Sequence, residues 1–208
     1  MKRKGMFITF EGGEGCGKTT HAKKLKSYLE NEGFKVVLTR EPGGTAFGKK
    51  VRKTLLSRGT VLTANAELLL FAADRAQHME EVILPSIKAG KIVICDRFID
   101  STVAYQTGGR GLPEDMVRYL NFISSRGILP DLTILLDVAP EIGIKRAAKE
   151  EVRDRFERED LGFHRKVREA YLKIAGQDPK RVKLVDASAP LAKVGSDIRL
   201  IIVRSVKG

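Results

Sequence analysis

Gly12-Gly13-Glu14-Gly15-Cys16-Gly17-Lys18-Thr19 decides the reading of this 208-residue chain, because it fits the pattern G-x-x-x-x-G-K-[ST] of a phosphate-binding loop. Upstream, Met6-Phe7-Ile8-Thr9-Phe10-Glu11 is an apolar run rich in β-branched and aromatic residues. Downstream, residues 21–32 carry helical spacing, so the strand, loop and helix that the motif requires stand in order. Glycines let successive backbone N–H groups turn toward one point at the positive end of the helix, which makes a nest for a polyphosphate. Lys18 is then expected to reach the β- and γ-phosphates, and Thr19 to place its hydroxyl on a magnesium ion bridging them.

Working outward, the chain has the length of one domain with a core of its own, and residues 1–208 are read as one unit. Hydrophobic residues make up 42% and charged residues 31%, an ordinary balance for a soluble protein. No apolar run approaches the ~20 residues that span a bilayer, and the first strand follows the N-terminus too closely for a signal peptide, so a cytoplasmic location is expected. Cys16 lies in the loop and Cys95 in an apolar strand, with neither metal-type spacing nor a disulfide framework. The net charge of +12 points to anionic partners. Nucleic acid is the rival to nucleotides, but the basic residues are spread along the chain and form no recognised nucleic-acid module, so no nucleic-acid partner is expected. Few Asn and Gln beside many Glu, Lys and Arg predict high thermal stability. Melting in the mesophilic range would contradict that expectation.

Further along, residues 34–39 read as a second strand, and the turn Arg40-Glu41-Pro42-Gly43-Gly44-Thr45 ends with Thr45 as a helix cap. A long helix is predicted over residues 63–89, bent or broken near Pro85. Phe71 and Arg75 share one face of it, as an aromatic plane and a fork of donors that suit a flat base. Periodicity alone favours reading Phe71 as core and Arg75 as a solvated end. The strand Lys91-Ile92-Val93-Ile94-Cys95 delivers Asp96 and Arg97 to its C-terminal edge, where Asp96 is placed to orient magnesium and Arg97 to clamp a phosphate. Asp137, closing the strand at residues 132–136, is the alternative carboxylate. Ser101 and Tyr105 stand four apart on the next helix, and another helix is expected from about Pro113 to Arg126. A further helix opens at Pro140 and ends in Lys145 and Arg146. Residues 149–159 are almost wholly charged, which reads either as a solvated helix face or as a mobile lid whose arginines close over a transferring phosphoryl group. A fifth strand at residues 181–185 and a final amphipathic helix at residues 191–206 complete an α/β domain with a five-stranded parallel sheet.

Together with the loop, the segments Arg40-Glu41-Pro42-Gly43-Gly44-Thr45, Leu70-Phe71-Ala72-Ala73-Asp74-Arg75, Asp96-Arg97-Phe98, residues 101–106, Leu135-Leu136-Asp137 and Asp186-Ala187-Ser188 closely resemble the thymidylate kinases, nearly end to end. The resemblance implies the nucleoside monophosphate kinase fold with a short lid at about residues 146–160, ATP as phosphoryl donor, Mg2+, dTMP as acceptor and a homodimer. It further implies that Phe71 stacks on thymine, Arg75 bonds its carbonyl edge, and Arg97 and Arg52 hold the dTMP phosphate. Ser101 approaches the base, Tyr105 crowds the position of a 2′-hydroxyl, and Glu14 bonds the 3′-hydroxyl. Some members carry an arginine directly after that acidic residue. Gly15 stands there in this chain, which resembles the bacterial-type members whose catalytic arginines lie in the lid, here Arg146, Arg153 and Arg155. Another acceptor nucleotide, or an ATPase stimulated by nucleic acid, are the remaining alternatives.

Overall fold

The computed structural model describes residues 5–57, 59–148 and 154–207. Strand β1 (Met6–Glu11) leads through the glycine loop into helix α1 (Lys18–Asn31), and β2 (Val36–Arg40) leads into α2 (Ala46–Leu56). Helix α3 (Ala64–His78) passes through a π-helical turn at Met79–Ile83 into the short α4 (Leu84–Lys88), followed by β3 (Ile92–Asp96). Beyond it come α5 (Ile99–Thr102), a π-helical segment at Val103–Gly109, α6 (Glu114–Ser125) and β4 (Leu132–Asp137). Helices α7 (Pro140–Ala147) and α8 (Leu161–Gln177), strand β5 (Val182–Asp186) and helix α9 (Leu191–Lys207) close the chain.

All five strands are parallel, in the order β2-β3-β1-β4-β5. Central β1 and β3 are apolar almost throughout because both faces are covered by helices, whereas edge strand β2 is only half-buried. The order switches direction at β1. Ligands bind outside the carboxyl ends of such strands, at the point where neighbouring connections diverge. Register places Asp96 opposite Phe10 on one side and Arg40 on the other, so the ends of β1, β2 and β3 share one edge. Ile8, Phe10, Ile94 and Ile134 pack with Leu25 and Leu29 of α1 and Ile198 of α9 on one face of the sheet. On the other, Phe7, Val93 and Cys95 meet Met79, Ile83 and Phe98.

Two local expectations are corrected. Arg40 belongs to β2, not to the loop after it, and the helix expected from Thr63 begins at Ala64. That helix changes its winding beside Pro85, as expected: proline has no N–H to return to a carbonyl four residues back, and the π turn carries the chain past that gap. Thr63 is the cap, its hydroxyl accepting the Ala66 N–H at 3.3 Å. Thr45 caps α2 as expected, accepting the Gly48 N–H at 2.9 Å.

Candidate functional site

Gly17 takes a left-handed conformation (φ 89°) at the start of α1 with no side-chain cap, leaving the first N–H groups of the helix directed at the loop. Lys18 is buried, and its ammonium donates to the carbonyls of Gly12 at 3.0 Å and Gly13 at 2.6 Å and to Cys16 Sγ at 3.4 Å. Because α1 begins at Lys18, Thr19 sits on its first turn, and its hydroxyl donates to Asp96 Oδ2 at 2.5 Å. The two sequence-predicted magnesium ligands therefore meet directly. The alternative carboxylate, Asp137, is held in a two-bond pair by Arg168 at 2.7 and 2.8 Å. Among the described residues no three His, Cys, Asp or Glu side chains gather as a metal cage. One carboxylate and one hydroxyl, both hard oxygen donors beside a phosphate loop, fit an ion such as magnesium that keeps most of its ligands as water and phosphate.

Arg97 is the hub of the next layer. Its backbone is left-handed (φ 73°), which turns the side chain back over the loop. One guanidinium nitrogen donates to Glu14 Oε1 at 2.6 Å and to the Tyr105 hydroxyl at 3.1 Å. The other reaches the Gly12 carbonyl, Ser101 Oγ and the Tyr171 hydroxyl at 3.2, 3.3 and 3.4 Å. Tyr105 also donates to Glu14 at 2.6 Å. Burial works to raise the Glu14 carboxyl, but Arg97, Lys18 and the Tyr105 hydrogen bond outweigh it and hold the group at about 2. Ser101 and Tyr105 converge although the helix predicted to carry both is divided between α5 and the π-helical segment.

These groups open on a cleft of about 640 Å³. Of the described sequence-predicted site residues, Gly12, Gly13, Cys16, Arg155 and the alternative carboxylate Asp137 lie off its lining. Phe71 is half-buried and forms part of the wall, its ring 6.1 Å from that of Phe156. Arg75 is fixed by donations from Nε to Glu41 at 2.8 Å and from its terminal nitrogens to Asn121 at 2.6 Å and Thr102 at 2.8 Å. A guanidinium has five N–H donors, so this buried side chain, which lines the cleft, has two N–H groups beyond those three bonds. Arg52 lines the same cleft and donates to the Pro42 carbonyl at 3.0 Å; burial and the neighbouring Arg40 lower its pKa.

The lid arginines separate. Arg153, with the rest of residues 149–153, lies outside the described residues. Arg146, on the last turn of α7, donates to the Ala187 and Ser188 carbonyls at 2.8 and 3.3 Å, which ties it to the loop after β5. Arg155 departs from its expected place over the transferring group. It donates to the Leu55 carbonyl at 3.1 Å and to Glu67 Oε2 at 2.5 Å. Glu67 is the physical cause: this nearly inaccessible carboxylate on α3 also accepts from Gln106 and Arg110, and an ionised group buried so deeply needs such partners. The stretch 154–159 is a turn rather than a helix, wedged down by the buried ring of Phe156.

Four participants escaped sequence reasoning. Glu67 looks like any solvent-facing acid of an amphipathic helix, Phe156 is hidden in a charged run, and Tyr171 carries no local signal. Glu11, which closes β1 directly before the loop, could have been found as an acid in a strand otherwise destined for the core. Burial and nearby Asp100 push its carboxyl up to about 7, against the opposing hydrogen bond from Ser101, the charge of Arg97 and the Phe98 N–H.

The sequence profile of a family described as thymidylate kinase matches residues 10–198. The chain belongs to the thymidylate kinase family. A thymidylate kinase from a Thermoanaerobacter species is 49% identical over 195 residues, covering 94% of this chain and 96% of that one. One from Maridesulfovibrio salexigens is 48% identical over 211 residues, covering 98% and 97%. The crystal structure of thymidylate kinase from Ehrlichia chaffeensis superposes with a TM-score of 0.80 at 36% identity, over 95% of this chain and 98% of that one. As a member of the thymidylate kinase family the chain is a phosphotransferase that phosphorylates dTMP, with ATP as donor.

Proposed function

We propose that dTMP lies in the cleft with its phosphate between Arg97 and Arg52, its base against Phe71 and its sugar at Glu14 and Tyr105. Donor phosphates lie in the glycine loop under Lys18. The observation that supports this most is the direct bonding of Glu14, a residue of the phosphate loop, to Arg97 and Tyr105, since it joins donor and acceptor sides into one charged cluster. Arg75 meets the carbonyl edge of the base and Ser101 lies close by. Transfer is an in-line attack of an acceptor phosphate oxygen on the γ-phosphorus, which breaks its bond to the β–γ bridging oxygen so that ADP leaves and dTDP forms. A phosphate monoester with a second pKa near ~6 is already largely dianionic at neutral pH, so no general base is needed. Thr19 and Asp96 are the residues to hold Mg2+, which on binding neutralises phosphate charge. The protein's part is placement and stabilisation of spread-out charge by Lys18, Arg97 and the lid.

A coupled assay over dTMP, dUMP, dCMP, dGMP and UMP tests the acceptor site. Turnover of dTMP, with slower use of dUMP, fits the geometry; equal use of UMP would contradict the role of Tyr105. Lys18→Ala should nearly abolish turnover.

A homodimer is also part of the proposal. Leu69 of α3 and Tyr119, Phe122 and Ile123 of α6 are each more than half exposed, and the two helices pack side by side, giving an apolar face suited to a second copy. Light scattering should give twice 23.0 kDa, and Phe122→Glu should give the monomer. A cytoplasmic setting fits a chain in which, among the described residues, no helix is long and apolar enough to cross a membrane.

A further inference from the structure

Arg97 holds a backbone conformation that costs an ordinary residue about 1 kcal/mol or more, and something must fix it. Both N–H groups of that turn are captured by β1. The Arg97 N–H donates to the Phe10 carbonyl at 3.0 Å, and the Phe98 N–H donates to Glu11 Oε1 at 2.7 Å. The second oxygen of Glu11 accepts from Ser101 Oγ at 2.5 Å and from the Tyr171 hydroxyl at 3.2 Å. Those two hydroxyls also accept from one nitrogen of the Arg97 guanidinium, at 3.3 and 3.4 Å.

The polarity of this chain of bonds matters. In its ionised form Glu11 only accepts, so it takes the Ser101 proton, the Tyr171 proton turns to Ser101 Oγ at 2.7 Å or to the carboxylate, and each hydroxyl keeps a lone pair for Arg97. One fully buried side chain thereby fixes the turn at the root of Arg97 and orients the acceptors at its tip. We infer that Glu11 is a positioning residue for the acceptor phosphate, acting through Arg97 by means of the Phe98 N–H and the Ser101 and Tyr171 hydroxyls. The inference rests on the proposed role of Arg97 at the dTMP phosphate.

A double-mutant cycle tests it. Glu11→Gln and Glu11→Ala are each made in the wild-type and Arg97→Ala backgrounds, with kcat/KM for dTMP, KM for ATP, calorimetric Kd for dTMP and thermal melting measured for all. Misplacing a clamp by an ångström costs on the order of 10²-fold, so Glu11→Ala should lower kcat/KM for dTMP by about tenfold to a hundredfold while KM for ATP moves less than about twofold. In the Arg97→Ala background the same change should cost less than about twofold, because the residue it acts through has gone. Glu11→Gln keeps the shape and an acceptor oxygen for Phe98 but reverses the hydroxyl polarity, and it should show the same non-additivity with a smaller loss. It carries the cycle if Glu11→Ala does not fold. Additive losses in the double variants, or equal losses toward ATP and dTMP, would overturn the positioning role. If Arg97→Ala alone leaves kcat/KM for dTMP unchanged, the acceptor-site reading fails instead, and the two failures are told apart.

Discussion

Replacing Gly15 by alanine should injure the enzyme out of proportion to one methyl group. Gly15 has φ +63°, and a Cβ there would lie 2.0 Å from the Gly143 carbonyl oxygen and 2.7 Å from its carbon. The contact is reciprocal, since a Cβ on Gly143 would lie 2.2 Å from the Glu14 carbonyl oxygen. Loop and helix α7 thus touch backbone to backbone. Restoring an ordinary contact of about 3.4 Å requires α7 to withdraw by about 1.4 Å. The left-handed backbone adds about 1 kcal/mol for a residue with a Cβ, and overpacking of this kind about 1–3 kcal/mol. A total of roughly 2–4 kcal/mol should lower Tm by about 5–15 °C for a chain of this length. Helix α7 also carries Arg146, so turnover should fall about tenfold or more. Thermal melting and the coupled kinase assay measure both. Gly13→Ala is the control, because a Cβ there meets nothing within 4 Å, and its melting should stay close to wild type. A Gly15→Ala protein melting within a degree or two of wild type would refute the reasoning. Gly15→Arg meets the same carbonyl, so this loop cannot simply be given the arginine that some family members carry there.

Other perturbations have equally definite outcomes. Phe71→Ala should raise KM for dTMP about tenfold with little change in KM for ATP or in melting, since the ring is only half-buried; unchanged dTMP affinity would remove its stacking role. Asp96→Asn should shift the Mg2+ dependence of the rate to higher concentration, and a curve that superposes on wild type would exclude Asp96 from the metal. Glu67→Ala strips the partners from Arg155, Arg110 and Gln106 at once and should cost about 3 kcal/mol in denaturant unfolding. Glu14 lies below its ordinary 4.5 at about 2, so its stabilising contribution is complete above pH 4.5 and disappears as pH falls toward 2. Urea unfolding of wild type and Glu14→Gln should therefore converge near pH 2 and diverge, by up to about 3 kcal/mol, above pH 5. A constant difference across that range would contradict the ion pair with Arg97.

Much of this was legible where the cause is local. The apolar run Met6–Glu11, the glycines after it and the Thr45 cap each depend on residues a few positions apart, and the structure has them as read. The order of strands is not local and no spacing announces it. Arg75 shows the limit most clearly: its position on a helix could be read, but its bonding to Glu41, Thr102 and Asn121 joins segments up to 46 positions away. Arg155 shows the same limit. Its charge suggested a phosphate, and only the fold shows that Glu67 is nearer.

The sheet order has a consequence for how this enzyme can change. With β1 in the middle, residues facing the proposed acceptor come from the ends of β2 and β3 and from α3, while Arg146 and the loop after β5 form the opposite flank. Preferences for the two nucleotides can therefore drift independently, each rewritten on its own side of the central strand. Glu14 is the exception, standing in the loop that serves one nucleotide while bonded to groups that serve the other. Mutational libraries confined to either flank should yield altered selectivity for one substrate alone, and changes at this glutamate should trade one against the other.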